Sequence, residues 1–273
     1  MNICYVCTNY NNSEYTFKAI ESLILDEDNL YKIVVIDNNS NLSEVGLLKN
    51  LLSTFECVDI IFNDVNVGYF GGLNLGLNYI KSLKLTFDWV IVGNNDLLFP
   101  ANFSSQLSLL NSELINHPVV SPDIVTIEGE HQNPHVISNI SRVREIFYDI
   151  YFYNYFAGII IKMLSRTFAV FTRRSDMIYW RKPGFIYQGH GSCYLLGPNF
   201  FKIFHELWAP TFLMSEEFFL SKQLSDAGFK IYYEPAIQVI HHWHGSLEKL
   251  PSRQRWEFAR NAHREYRKYV KWL

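Results

Sequence analysis

Cysteine is scarce in this chain: Cys4, Cys7, Cys57 and Cys193 are the only four in 273 residues, and their spacing offers no disulfide framework. The single C-x-x-C, Cys4 and Cys7, lies in ICYVCTNY, which reads as a first strand. Alternation there sends the two side chains to opposite faces or buries both, so a redox or zinc role is disfavoured. Charge is also sparse, 19% of residues against 48% hydrophobic, which allows a substantial core and excludes global disorder. No apolar run is long enough to span a bilayer: the most apolar stretch, Tyr148 to Phe171, is broken by Lys162 and Arg166. No charged leader region with a cleavage site precedes the first strand, so a reducing, cytoplasmic setting is expected.

Aromatic residues, by contrast, are abundant (Phe 21, Tyr 17, Trp 6) and suit a core, a sugar face or a membrane interface. Charge is unevenly placed. Between Pro251 and Leu273 seven Lys/Arg stand against two Glu, a local +5 in a chain whose net charge is -3. A basic tail on an acidic body points to an anionic partner such as phosphate or lipid headgroups, rather than to nucleic acid.

The first hundred residues alternate in type. Ile3–Cys7, Lys32–Ile36, Val58–Phe62 and Trp89–Val92 read as strands. Tyr15–Leu25, Glu44–Phe55 and the segment after Gly72 read as helices. That spacing means βαβ units and a parallel sheet. Polar clusters end the strands: Thr8, Asn9 and Asn11; Asp37, Asn38 and Asn39; Asn66 and Gly68; Asn94, Asn95 and Asp96. All four fall on the carboxyl edge of the sheet, where an open α/β fold binds ligands. In DWVIVGNNDLLFP, Asp88–Pro100, the carboxylate of Asp96 suits a partly hydrated divalent cation, although a plain Asn/Asp turn would use the same residues. NVGYFGGLNLGL, Asn66–Leu77, has glycines that let backbone approach a ligand before a helix, but it does not follow the first strand as a dinucleotide fingerprint should.

Further on, SPDIVTIEGEHQNPH reads as loop or hairpin. The aromatic stretch after it reads either as an amphipathic segment lying in a membrane interface or as a helix covering the core or an acceptor site. Ser192–Leu196, Lys230–Tyr233 and Gln238–Ile240 read as strands, and Glu216 and Glu217 open a helix that Gly228 closes. His241, His242 and His244 follow, three imidazoles able to ligate a metal.

In series, VVIDNNS, NVGYFGGLNLGL, VGNNDLLFP, GHGSCYLL, EEFFLSKQLSDAGFKIYYEP, VIHHWHGS and the final ARN resemble family 2 glycosyltransferases, particularly the bacterial rhamnosyltransferase-like branch that builds surface polysaccharides. The resemblance implies the GT-A fold: a Rossmann-like nucleotide-binding sheet with helices on both faces, an acceptor-side portion and a basic final helix. Residues 1–100 would form the nucleotide-sugar half, 101–250 the acceptor and catalytic half of the same domain, and 251–273 the amphipathic helix.

The resemblance also assigns residues. Asp37 would hold the nucleobase, with Thr8 and Asn11 at the same end, and Asn66, Gly68, Gly72 and Asn74 would border ribose and diphosphate. Asn94, Asn95 and Asp96 occupy the D-x-D-like position, Asp96 ligating Mg²⁺ or Mn²⁺. Because Asn94 replaces the first acid, the metal has one carboxylate there and calls on His241, with His242 and His244 as alternatives. Arg260 would help stabilise the departing diphosphate. Glu217 takes the place of the base, Glu216 being its alternative, and inversion is implied. Phe219 and Gln223 depart from the acid and arginine that often continue this helix.

The expected function is transfer from a UDP- or dTDP-sugar to a lipid-linked glycan at the cytoplasmic membrane face, an anionic surface being a further partner. Two other readings are a non-catalytic nucleotide-sugar or glycan binding module and a nucleotidyltransferase. CTNYNNSEY lacks the basic residue that the last would use for a triphosphate.

Overall fold

The near-continuous apolar runs of the first hundred residues form strands covered on both faces, as parallel strands in an α/β protein must be. The structure is a computed structural model, of which residues 1–24, 30–138, 142–167, 176–242 and 252–270 are described. In chain order the first half runs β1 (Asn2–Asn9), α1 (Ser13–Ile24), β2 (Leu30–Asp37), α2 (Leu42–Leu52), β3 (Val58–Phe62), α3 (Tyr69–Ser82) and β4 (Trp89–Asn94). Strands β3-β2-β1-β4 are parallel neighbours, with Asn9 opposite Asp37 and Thr8 opposite Asn94. Three of the four polar strand ends thus lie level along one edge. Cys4 and Cys7 are both buried in β1, on opposite faces, and desolvation pushes both thiols up, Cys7 to about 12. They are inert packing groups.

The second half adds β5 (Leu97–Leu98), α4 (Phe103–Leu114), β6 (Val119–Thr126), α5 (Arg142–Tyr153), α6 (Tyr155–Thr167), β7 (Gly184–Ile186), β8 (Cys193–Leu196), α7 (Pro198–Ile203), α8 (Glu216–Asp226), β9 (Ile231–His241) and α9 (Ser252–Tyr266). These strands continue the same sheet in the order β4-β8-β6-β9-β5, with β7 also on β9. The sheet is therefore mixed: β8 is antiparallel to β4 and β6, whereas β6 and β9 are parallel. Side chains of α1, α2 and α4 fill one face and those of α3, α7 and α8 the other.

Three local readings are refined. Residues 121–135, read as loop or hairpin, form a hairpin: 121–126 lie in the wholly buried β6, and after a turn at Gly129 His131 bridges back to Val125 and Gln132 N donates to Ile124 O. Polar Ser121 and Asp123 tolerate burial because Asn133 Nδ2 donates to the serine hydroxyl at 2.9 Å, while His131 Nδ1 and Gln238 Nε2 lie 2.9 and 3.2 Å from Asp123 Oδ2. The two strands around Pro235 are one strand, β9, whose register against β6 jumps from Glu234 to Gln238. A proline without an N–H to donate belongs at such a bulge. Third, α3 starts at Tyr69 rather than after Gly72, so Gly71 and Gly72 are already helical. Among the described residues, no helix is long and apolar enough to cross a membrane. His244, Arg173, Arg174, Ser246, Lys271 and Leu273 lie outside the described residues.

Candidate active site

Above the carboxyl edge opens a cleft of about 720 Å³, bounded by the ends of β1, β2, β4 and β9, the first turn of α8 and one side of α9. Of the residues singled out in the sequence, Thr8, Asn66, Gly68, Asn94, Asn95, Asp96, Glu216, Glu217 and His241 line it.

The position of Asp96 is marked by what it lacks. Asp96 is 3% exposed, and neither carboxylate oxygen has a hydrogen bond of good geometry. The antiparallel pairing of β5 with β9 sets Leu97 opposite His241, bringing His241 Nε2 to 3.3 Å from Asp96 Oδ1. Burial raises the Asp96 pKa, but His241, then Asn94, more than offsets this, and the carboxyl ends below its ordinary value. Gln132 Oε1 lies 2.8 Å from His241 Nδ1, and Asn94 Nδ2 lies 3.3 Å from Nε2. Gln132 Oε1 accepts from the Nδ1–H, while Nε2 faces Asp96; a cation bound between Asp96 and His241 would take the place of the Nε2 proton that otherwise meets the carboxylate, the orientation a metal-ligating histidine takes. A buried carboxylate with two unsatisfied oxygens beside such an imidazole fits a hard divalent cation. Among the described residues no third His, Cys, Asp or Glu joins them, so further ligands would come from substrate and water. His242 instead packs edge-on against Tyr15, ring centroids 5.0 Å apart.

The opposite wall is acidic. Met214 and Ser215 both have left-handed backbone, φ 77° and 67°, which costs strain in non-glycine residues and turns the first residues of α8 into the cleft. Glu216 Oε1 accepts from Met214 N at 2.9 Å, and Glu217 Oε1 accepts from Gly191 N at 3.3 Å. Burial, then the neighbouring Glu217, pushes Glu216 up to about 8. Glu216 therefore favours its protonated form at neutral pH, and the two neighbouring carboxyls titrate as a pair.

Five expected site residues are used elsewhere. Asp37 is buried, its Oδ1 accepting from Asn9 Nδ2 at 2.8 Å and its Oδ2 from Ser40 N at 3.0 Å. Asn11 accepts from Asn41 N at 2.9 Å. Gly72 is where α3 crosses β1: a Cβ there would sit 2.6 Å from the Thr8 methyl. Asn74 exchanges two 2.8 Å hydrogen bonds with the Leu207 backbone. Arg260 faces away from the cleft toward α5, donating to the Phe152 and Tyr153 carbonyls. Arg255, on the other side of the same helix, is the only Lys or Arg among the described cleft-lining residues. Asn38, from the polar cluster after β2, also lines the cleft, whereas sequence reasoning missed Arg255, Tyr69, His190 and Ser192. The GHGS motif was the available signal for the last two. The departures Phe219 and Gln223 have internal roles: Phe219 packs on Trp208, and Gln223 bonds Trp208 N and Glu206 O.

Gly68 joins the two walls. With φ at +83° and an added Cβ only 2.0 Å from Phe212 O, the position admits glycine alone. Asn38 Nδ2 donates to Gly68 O at 2.9 Å, and Tyr69 N donates to Phe212 O at 3.1 Å.

A doubly covered sheet with this edge cleft is the GT-A fold of glycosyltransferases. The family model of Glycosyl transferase family 2 matches residues 4–178, more than half of the chain, and the chain belongs to that family. Similar solved structures are GalNAc-T7 with UDP, GalNAc and Mn²⁺ (TM-score 0.54, 13% identity, covering 90% of this chain and 44% of that one); the mannosyltransferase PcManGT from Pyrobaculum calidifontis with GDP-Man and Mn²⁺ (0.54, 12%, 90% and 59%); and S. aureus TarS 1–349 (0.52, 10%, 89% and 60%). The chain thus spans about half the length of the structures it matches, and identities this low speak for the fold alone. No curated protein matches the sequence.

Proposed function

We propose that the protein is a metal-dependent, inverting hexosyltransferase, of the rhamnosyltransferase-like kind, acting in surface-polysaccharide synthesis. It would move a sugar from a UDP- or dTDP-linked donor to a lipid-linked oligosaccharide at the cytoplasmic face of a membrane, as a peripheral protein. Residues 1–100 serve the donor, 101–250 the acceptor and the chemistry, and 251–273 supply the basic segment that contains α9. The observation carrying this reading is one cleft that holds both an unsatisfied Asp96 beside His241 and an acid pair able to keep one member ionised.

Each residue then has a chemical task. Asp96 and His241 would hold Mg²⁺ or Mn²⁺, which neutralises charge on the departing diphosphate; two of the similar structures carry Mn²⁺ with UDP or GDP-Man. Arg255 takes the part expected of Arg260, presenting a cation to the same phosphates. Glu217 accepts the acceptor hydroxyl's proton as the new C–O bond forms and the C–O bond to diphosphate breaks on the opposite face, which inverts the anomeric carbon. Glu216, already protonated, does not compete for that proton. It holds the turn through Met214 N.

The test is calorimetric titration of UDP, dTDP and GDP, with and without Mn²⁺, into wild type and Asp96→Ala. One nucleotide should bind in a metal-dependent way, with affinity falling about 10–100-fold in the variant. A folded protein that binds none of the three would overturn the reading.

A further inference from the structure

Two neighbouring helices carry the same apolar spacing, i, i+3, i+4 and i+7: Val143, Ile146, Phe147 and Ile150 on α5, then Phe156, Ile159, Ile160 and Met163 on α6. In a globular protein such a stripe faces the core. Here it faces outward, with Phe147, Phe156 and Met163 exposed by 56%, 76% and 65%.

What α5 turns toward α9 is two acids and the ring of Phe152, which lies 4.8 Å from His263. Glu145 is buried and accepts the Tyr266 hydroxyl, while Asp149 Oδ1 lies 2.8 Å from His263 Nε2 and 3.1 Å from Arg267 Nε. Trp256 Nε1 donates to Tyr151 O at 3.4 Å and lies against Gly158, tying α9 to both helices. These directed bonds fix the rotation of α5 about its axis, so the outward stripe is a consequence of the fold.

The charges sort the same way. Both acids of the hairpin point inward, whereas Arg142 and Lys162 are exposed beside the apolar face. Of the cations in and just after α9, Arg253 pairs with Glu257, Arg260 bonds carbonyls of α5 and Arg267 pairs with Glu145 and Asp149, while Arg255 lines the cleft.

We propose that the outer face of the α5–α6 hairpin docks into the interface of an anionic phospholipid bilayer, apolar side chains among the acyl chains and Arg142 and Lys162 at the headgroups. A second copy of the chain suits this face poorly, because a two-fold contact would set its cationic rims against each other. The biological purpose of docking rests on the proposed transfer to a lipid-linked acceptor. Helix α9 touches the hairpin with Trp256 and Arg260 and lines the cleft with Gln254, Arg255 and Phe258, so the lipid surface would lie beside one wall of the cleft.

Flotation with phosphatidylcholine vesicles, with and without phosphatidylglycerol, tests this in the full chain, alongside nucleotide calorimetry, thermal unfolding and sedimentation. Wild type should float with the anionic vesicles. Phe147→Glu/Phe156→Glu should lose about a hundredfold or more in partitioning, keeping its melting temperature and nucleotide affinity, and Arg142→Glu/Lys162→Glu should weaken binding to the anionic vesicles. Wild type that binds nucleotide but does not float would end the docking proposal and leave the transferase reading standing. Flotation that survives the Phe147/Phe156 change, or a dimer that the change dissociates, would also overturn it. Flotation lost in that variant of a protein that binds no nucleotide would support docking and remove the transferase reading.

Discussion

Along the ends of β1 and β2, Asp37, Asn9, Asn95 and Thr16 are buried and bonded to one another: Asn9 Nδ2 donates to Asp37, and Asn95 Nδ2 lies 2.7 Å from the Thr16 hydroxyl. Around the cleft the opposite holds, with neither oxygen of the buried Asp96 making a hydrogen bond of good geometry and, on the facing wall, Glu216 and Glu217 crowding two carboxylates together. Both regions are polar and both stand at strand or helix ends, so residue type does not distinguish them. Satisfaction does: a completed network needs nothing from solution and acts as scaffold, whereas an incomplete one stores a desolvation cost that a ligand, metal or proton can relieve.

If the acid wall is the chemical one, Glu217→Gln should have the largest effect. Transfer should fall by about 10²–10⁴ with donor affinity unchanged, a split that steady-state rates and calorimetry would reveal together. Retained transfer would move the base to another group. On the satisfied wall, Asp37→Ala should act mainly on stability, costing about 1–3 kcal/mol because Asn9 and Ser40 lose their buried acceptor. Denaturant unfolding measures this, and a variant that keeps full stability while losing nucleotide affinity would assign Asp37 to the base after all. The smallest effect concerns Glu216. A carboxyl whose folded pKa is raised favours folding in its protonated state, so its contribution is lost as pH climbs from the unfolded value of 4.5 toward about 8. Melting temperature should decline across that window in wild type and decline less in Glu216→Gln.

Much of the polar sheet edge was legible because its signals are local. An apolar strand followed by a polar cluster, repeated along the chain, defines a sheet edge without knowledge of distant contacts. Asp96 and Glu217 were found in the same way, each next to a recognisable strand or helix. Local reading failed where one side chain had a choice of directions. Asn74 was expected beside the ribose and diphosphate, but from one turn inside α3 its side chain holds the Leu207 backbone. Arg260 and Arg255 share a helix, five residues and roughly 140° apart, and composition cannot say which faces the cleft. Ser121 and Asp123 looked too polar for a buried strand because their partners, Asn133, His131 and Gln238, come from other segments.

The sequence by itself determined the order of strands and helices, the covered parallel half of the sheet, the inert cysteines and the polar edge, because periodicity and turn chemistry act over a few residues. Only the tertiary structure decided that His241 meets Asp96, that Arg255 and not Arg260 faces the cleft, and that the apolar stripe of α5 and α6 points outward. Each of these depends on a strand register or a helix rotation, and both are set by contacts between segments far apart in the chain.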